Sequence, residues 1–282
     1  MKKMRRKWYD GSMKLKIWDQ SATWEESEKH WEEGALSAAQ QQSIQKLSQL
    51  PKMVGITPDT AKFLKWKAFR WMLTKDVDQK VLPQFWKHPF KYGWRYLKSL
   101  FYKKGYTRKG DFFLYGFQTL EQFEKSLKNR EHLFVLGFSY CHKPFECPSG
   151  RFTSECIHDA DHPVCRQCFI GKSVHASKEE NTILLFIPTV HYIAGKILEI
   201  VHANPKKKII FLITACEMTL EMFSDWGNMV GIQGVGVRLD GRICNTLKAF
   251  ELSEQGIKPG LTVVLDPAQK QMLEWIRIRR ET

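Results

Sequence analysis

The sequence predicts an α/β protein: an open, mostly parallel sheet with flanking helices and a long cysteine-rich loop, preceded by a basic helical N-terminal region. Three observations carry that expectation. Short apolar runs alternate with segments of helical period through the second part of the chain, the pattern of strands buried on both faces. Composition changes abruptly near Lys109-Gly110: residues 1–110 hold 24 Lys+Arg against 10 Asp+Glu, whereas residues 111–282 hold 20 of each. All seven cysteines lie after that point and eight of the ten tryptophans before it. The division expected is therefore 1–110, a basic Trp-rich helical region, and 111–282, a cysteine-rich α/β domain.

Each element has a local reason. Ser21 or Thr23 can cap a helix over 22–50, with acids in its first turn and Pro51 as its stop. Thr57-Pro58 places a capping hydroxyl before a proline at the first helical position and predicts a helix to about Thr74. A third helix is expected after Pro83, to about Tyr102, broken or restarted at Pro89. Leu120 to Lys128 is amphipathic. The apolar runs 132–138, 182–187, 208–214, 230–237 and 261–265 read as five strands. Helices are expected between them over 191–202, 217–223 and 246–252, and after the last from Pro267 to about Arg279.

Several classes are excluded. Seven cysteines in 282 residues are too sparse for a disulfide scaffold. No run of about 18 apolar residues predicts a membrane span. The basic start MKKMRRKWYD is followed by no apolar stretch of the kind a secretory signal needs. A cytoplasmic, reducing location is the expectation, with peripheral association at a membrane as its variant. Neither a dinucleotide fingerprint, a phosphate loop nor a nucleophile elbow is present.

The cysteines carry the chemistry. Between the first two strands lies a stretch of more than 40 residues with little helix or strand pattern, which begins SYCHKPFECPSGRFTSECIHDADHPVCRQCFIGK. A loop that long needs a function or something to hold it. It contains Cys141, Cys147, Cys156, Cys165 and Cys168, ending in C-x2-C, a spacing that lets two thiolates reach one ion from a tight turn. Cys141, Cys147, Cys165 and Cys168 form the expected ligand set for zinc or an iron–sulfur cluster, with Cys156 as a fifth candidate and His142, His158 and His162 as substitutes for one thiolate. Ligation would offset the ordering entropy of the loop.

Cys216 ends the third strand and Cys244 follows the fourth. Ligands collect at the carboxyl edge of open parallel sheets, so these two form a second ligand pair or a reactive site. A thiol at a helix N-terminus should have a lowered pKa, which makes Cys216 a catalytic candidate, with Glu217 and Asp240 as the carboxylates to test. The commoner roles for those two acids are a helix-dipole complement and a turn residue.

The order C…CP…C-x2-C-x-I-G, then A-C-E, then D-G-x-x-C-N-T resembles the uncharacterised cysteine-rich family catalogued as domain of unknown function 116. The matching residues are Cys141, Cys147-Pro148, Cys165 to Gly171, Ala215 to Glu217 and Asp240 to Thr246, within about residues 130–265. The resemblance implies a cysteine-ligated, iron–sulfur or zinc protein of the cytoplasm with no assigned reaction.

Residues 62–108 hold 13 basic residues and two acids, interleaved with Trp66, Phe69, Trp71, Trp86, Phe90, Trp94 and Tyr96. The first expectation is a helical core with a solvated face. The others are an anionic partner: RNA, an anionic membrane surface or an acidic protein, gripped through Lys91, Arg95 and Lys98. Two functions follow. One is a metal protein with redox or sulfur-transfer chemistry. The other is a structural-zinc module whose basic helices bind RNA or a membrane surface.

Overall fold

A computed structural model describes residues 16–21, 23–47, 52–76, 81–101 and 105–282. Its centre is a six-stranded sheet. In chain order the strands are β1 (Thr107–Lys109), β2 (Phe112–Tyr115), β3 (Leu133–Ser139), β4 (Thr182–Ile187), β5 (Ile209–Ala215) and β6 (Gln233–Arg238). Across the sheet the order is β1-β2-β6-β5-β3-β4. β3, β4, β5 and β6 are parallel, with Leu136 opposite both Leu184 and Leu212, while β2 and β1 add an antiparallel edge. The α/β class and the mostly parallel sheet expected from the sequence are the architecture of the molecule.

The apolar runs are strands because both sheet faces are covered. One face contributes Val135, Phe211 and Ile213 to a core shared with Ala68, Met72, Tyr92 and Tyr96. The other contributes Leu136, Phe138 and Leu212 to a core shared with Trp18, Trp31 and Trp275. Each core therefore draws side chains from both sides of residue 110. Fully burying a Leu or Phe contributes about 2 kcal/mol, so these shared layers bind the N-terminal helices to the sheet.

Local details differ from the sequence expectation, each for a physical reason. Thr23 caps the first long helix in a reciprocal capping box with Glu26, but that helix, Trp24–Gln41, ends well before residue 50. Its predicted stop at Pro51 lies outside the described residues. Thr57 caps Pro58–Ala61 as expected, and the helix then breaks at Phe63, which takes a left-handed φ of 57°, before resuming as Leu64–Thr74. Pro89 restarts the third helix, which runs Pro89–Leu100 after a short turn at Leu82–Phe85. The hairpin β1–β2 is unpredicted, because three- and four-residue strands give too little alternation to read. The run 261–265 supplies only β8 (Thr262–Val263), which pairs with β7 (Asp240–Gly241) outside the main sheet.

The sheet order creates a switch point. From β3 the chain moves outward to β4, then crosses back over β3 to β5 and continues to β6. Neighbouring β3 and β5 are parallel, so their carboxyl ends lie side by side, and the chain leaves those ends in opposite directions, which opens a crevice between them.

Candidate metal centre

The cysteine-rich loop is more ordered than its sequence suggests. Helices Pro163–Gln167 and Phe169–Ala176 occupy its second half. Cys165 lies inside the first, and Cys168 joins the two as the N-cap of the second. Gly171 is required at this corner: a Cβ there would lie 2.3 Å from the Cys165 carbonyl oxygen, a backbone atom that cannot move aside.

The structure sorts the thiols into two groups. Cys147, Cys156, Cys165 and Cys168 form the first, close enough for their charges to act on one another. Burial pushes Cys156 and Cys165 up to about 12 and Cys168 up to about 11, and the neighbouring thiols add to each rise. Backbone groups work the other way: His158 favours the Cys156 thiolate, Asp159 that of Cys165, and Gly171 and Ile170 that of Cys168. Without a cation Cys156, Cys165 and Cys168 are protonated at neutral pH. With one, the amides already face the sulfurs, the outer-shell arrangement that stabilises ligated thiolates.

Two buried cations shape the loop, and the sequence reading missed both. Lys143 is 1% exposed, and its ammonium donates to the carbonyls of Gly150 (3.2 Å), Thr153 (3.1 Å) and Glu155 (2.6 Å) and to Thr153 Oγ1 (3.0 Å). Burial lowers its pKa, opposed by the charges of Cys147, Cys156 and Cys168. Arg151 donates to the carbonyls of Lys143, Lys258, Cys141 and Gly260, with its guanidinium 4.2 Å from the Phe145 ring centre. Arg151 feels both Cys141 and Cys147 and so stands between the two thiol groups. Four acceptors per cation satisfy carbonyls that an irregular backbone leaves unpaired. A lysine or arginine in a loop carries no sequence mark of burial, and only the carbonyl-rich fold around it reveals the role.

Cys141, Cys216 and Cys244 form the second group, at the switch point. Cys141 follows β3, Cys216 follows β5, and Cys244 comes from the segment after β7. All three are buried. Lys258 donates to Cys244 Sγ (3.3 Å); burial opposes its charge, but Cys141, Cys244 and Cys216 outweigh that and hold its pKa above the ordinary lysine range. Cys216 caps helix Glu217–Val230, yet its thiol is pushed up to about 12, opposite to the sequence expectation. Burial causes most of that rise and the Cys244 and Cys141 charges add to it, while Thr219, whose hydroxyl lies 3.2 Å from the sulfur, opposes it. Three adjacent thiols cannot all ionise, and Lys258 supplies the charge to balance one thiolate.

Glu217 and Asp240 are both committed to a buried ion-pair network. Arg238, 2% exposed, donates to Glu217 Oε2 (3.0 Å), to Asp240 Oδ2 (3.0 Å) and to the Met53 carbonyl. Arg108 takes Glu217 Oε1 at 2.7 Å. Asp240 Oδ1 accepts from the Met53 and Gly241 amides. With Thr57 N–H donating to the Asn245 carbonyl (2.9 Å), this network fastens segment 52–57 along the carboxyl edge of the sheet.

Of the three loop histidines, His162 caps a helix through Nδ1, and His158 places Nδ1 2.9 Å from the Cys156 carbonyl. His142 is buried with Nδ1 unpartnered, its pKa driven down to about 4 by burial alone. In the chain it stands between Cys141 and Lys143, and its ring meets Phe169 at 5.5 Å between centres.

Four soft sulfur donors and one unpartnered imidazole nitrogen match the chemistry of zinc or an iron–sulfur cluster and not that of magnesium or calcium. Among the described residues, no three His, Cys, Asp or Glu side chains are arranged to hold a metal ion. Ligation therefore requires the thiols to draw together from the positions described. No family model, no curated protein and no solved structure matches the chain.

Proposed function

We propose that this chain is a cysteine-ligated metal protein in which Cys147, Cys156, Cys165 and Cys168 hold an iron–sulfur cluster or zinc. The observation that carries this reading is the gathering of Cys147, Cys156 and Cys168 around the buried Lys143 ammonium, with Cys165 near the same three thiols and backbone groups favouring the thiolate at Cys156, Cys165 and Cys168. Burial disfavours the thiolates of Cys156, Cys165 and Cys168, and a bound cation removes that cost.

The chain's own residues have distinct parts. Lys143 and Arg151 hold the loop and offset negative charge near the sulfurs. Gly171 keeps the C-x2-C corner tight. Cys141, Cys216, Cys244 and Lys258 offer a second thiol site in the crevice where open parallel sheets bind their ligands. A cluster would supply one-electron redox chemistry, which makes redox or sulfur transfer the reaction class, whereas zinc would make the loop a structural clamp. The resemblance to domain of unknown function 116 agrees with this reading and adds no reaction.

Anaerobic purification followed by iron, zinc and acid-labile sulfide analysis and a visible spectrum tests it. Iron with sulfide, or one equivalent of zinc, is expected, and Cys165→Ser/Cys168→Ser should lose it. A metal-free native protein, or a double variant with unchanged metal content, would contradict the reading.

A further inference from the structure

One surface stands apart from the thiols. Trp86, Phe90, Trp94, Leu97 and Phe101 recur at helical intervals along and just beside helix Pro89–Leu100, a stripe on one face. All five point to solvent, at 67%, 92%, 72%, 54% and 88% exposure. The opposite face is buried: Tyr92 and Tyr96 enter the core, and Tyr96 meets Trp226 of helix Glu217–Val230 at 5.4 Å between ring centres. The helix is therefore apolar on both its inner and its outer face.

The adjoining helix Leu64–Thr74 extends the patch with exposed Phe63, Trp66 and Leu73. Phe69 stacks on Tyr96 (5.6 Å), which fixes the two helices side by side. Exposed Lys62, Arg70, Lys87, Lys91, Arg95 and Lys98 rim the aromatic residues. Among the described residues, no carboxylate pairs with any of these six cations. Exposed apolar area on this scale marks an interaction surface, and a purely basic rim selects an anionic partner.

The same turn of chain lines a cavity of about 370 Å³ whose wall includes Lys87, His88, Lys91, His202, Lys207 and Lys208. His202 Nε2 lies 2.7 Å from Tyr92 Oη, and its Nδ1 lies 3.2 Å from Gln84 Oε1. A carbonyl oxygen on one side and a phenol on the other suit a neutral imidazole, and with the Lys207 ammonium held by Asn181 and that of Lys208 over the Phe117 ring, Lys87 and Lys91 set the charge of the wall. Such a wall fits a phosphate-sized anion.

The geometry points to an anionic phospholipid bilayer as the occupant of this face. Phe90, Trp94, Leu97 and Phe101 enter the boundary between headgroups and acyl chains, and the basic rim and cavity take the phosphates. Amphipathic aromatic rings and a lysine-rich rim are the features of an interfacial helix, and they require no membrane-crossing segment. Among the described residues no helix is long and apolar enough to cross a membrane. An RNA groove would instead alternate flat stacking rings with cations along a concave track. Here the aliphatic Leu97 and the rings share one outward helix face, with the cations at its margin. This inference stands independently of the metal reading.

Vesicle sedimentation with the full chain tests it, using phosphatidylcholine alone and phosphatidylcholine mixed with phosphatidylglycerol. Binding is expected only to the mixed vesicles, with a blue shift of tryptophan emission. Phe90→Ser/Trp94→Ser should abolish the shift and weaken binding by more than tenfold. Lys87→Ala/Lys91→Ala should weaken it roughly thirtyfold, because each lysine near an anionic surface contributes about 1 kcal/mol. All four sites are exposed, so circular dichroism and melting should match the native protein. No binding to mixed vesicles, equal binding to neutral vesicles, or native binding by either double variant would overturn the inference. So would retention of a single-stranded RNA that depends on Trp94 in protein that ignores vesicles.

Discussion

The loop thiols and the switch-point thiols differ in what brings them together. Cys147, Cys156, Cys165 and Cys168 are near neighbours in sequence, held in an irregular stretch by two buried cations and the corner at Gly171. Cys141, Cys216 and Cys244 are far apart in sequence and meet because strand order delivers the ends of β3 and β5 to one crevice. The first group depends on local polar staples and, in the proposed function, on a ligand. The second is built by the hydrophobic sheet and stands without one. Loss of metal should therefore disturb one group and spare the other.

The largest expected effect exploits that difference. Cys165→Ser/Cys168→Ser should lose the bound metal completely and raise amide exchange across 143–168, with the β3, β5 and β6 amides still protected. Cys216→Ser/Cys244→Ser should keep the loop's metal. Equal disruption of both regions by the first variant would erase the distinction.

Arg238→Met attacks the switch-point side. It leaves the buried Glu217 carboxylate to Arg108 and strips the buried Asp240 of its Arg238 partner, with only the Met53 and Gly241 amides still donating to it. Breaking a buried ion pair from one side costs about 3–5 kcal/mol, which denaturant melts would register. The four-thiol group should keep its metal in the folded fraction.

Lys143→Met tests the loop's staple. Carbonyls of Gly150, Thr153 and Glu155 lose their donor, at a cost of about 2–3 kcal/mol. Limited proteolysis should then cut within 147–156 faster than in the native protein, while the sheet resists.

The smallest effect is a pH dependence beside the switch point. Burial raises the Glu254 carboxyl to about 8, against one hydrogen bond from the Val190 amide (2.8 Å). The native state thus holds a proton that the unfolded chain releases near pH 4.5. That stabilisation is complete below pH 4.5 and is lost as pH rises through about 8. Residual solvent contact limits it to roughly 2 kcal/mol. Glu254→Gln should flatten the profile of stability against pH over that range, and an unchanged profile would remove Glu254 as its source.

The fold was legible wherever a run was both apolar and long. TILLFI became β4 at the predicted residues, and the runs around β3 and β5 came within a residue or two. It was illegible where pairing rather than pattern makes the strand: β1 and β2 are short, and β8 finds its partner only after Asp240-Gly241 turns toward it. The cysteine loop looked structureless because Pro163, Cys165 and Cys168 interrupt helical period, although the two short helices form around them. The sequence named every thiol but grouped Cys141 with its neighbours in the chain, since only strand order reveals its proximity to Cys216 and Cys244. Lys143, Arg151 and Lys258 were illegible because a buried cation looks like any surface lysine or arginine until its acceptors are known.

X-ray absorption at the metal edge of anaerobically purified protein tests the central claim most directly. The account predicts a first shell dominated by sulfur at about 2.3 Å, lost in Cys165→Ser/Cys168→Ser and retained in Cys216→Ser/Cys244→Ser. A shell of oxygen and nitrogen alone, or a sulfur shell that survives the first variant and vanishes in the second, would contradict it.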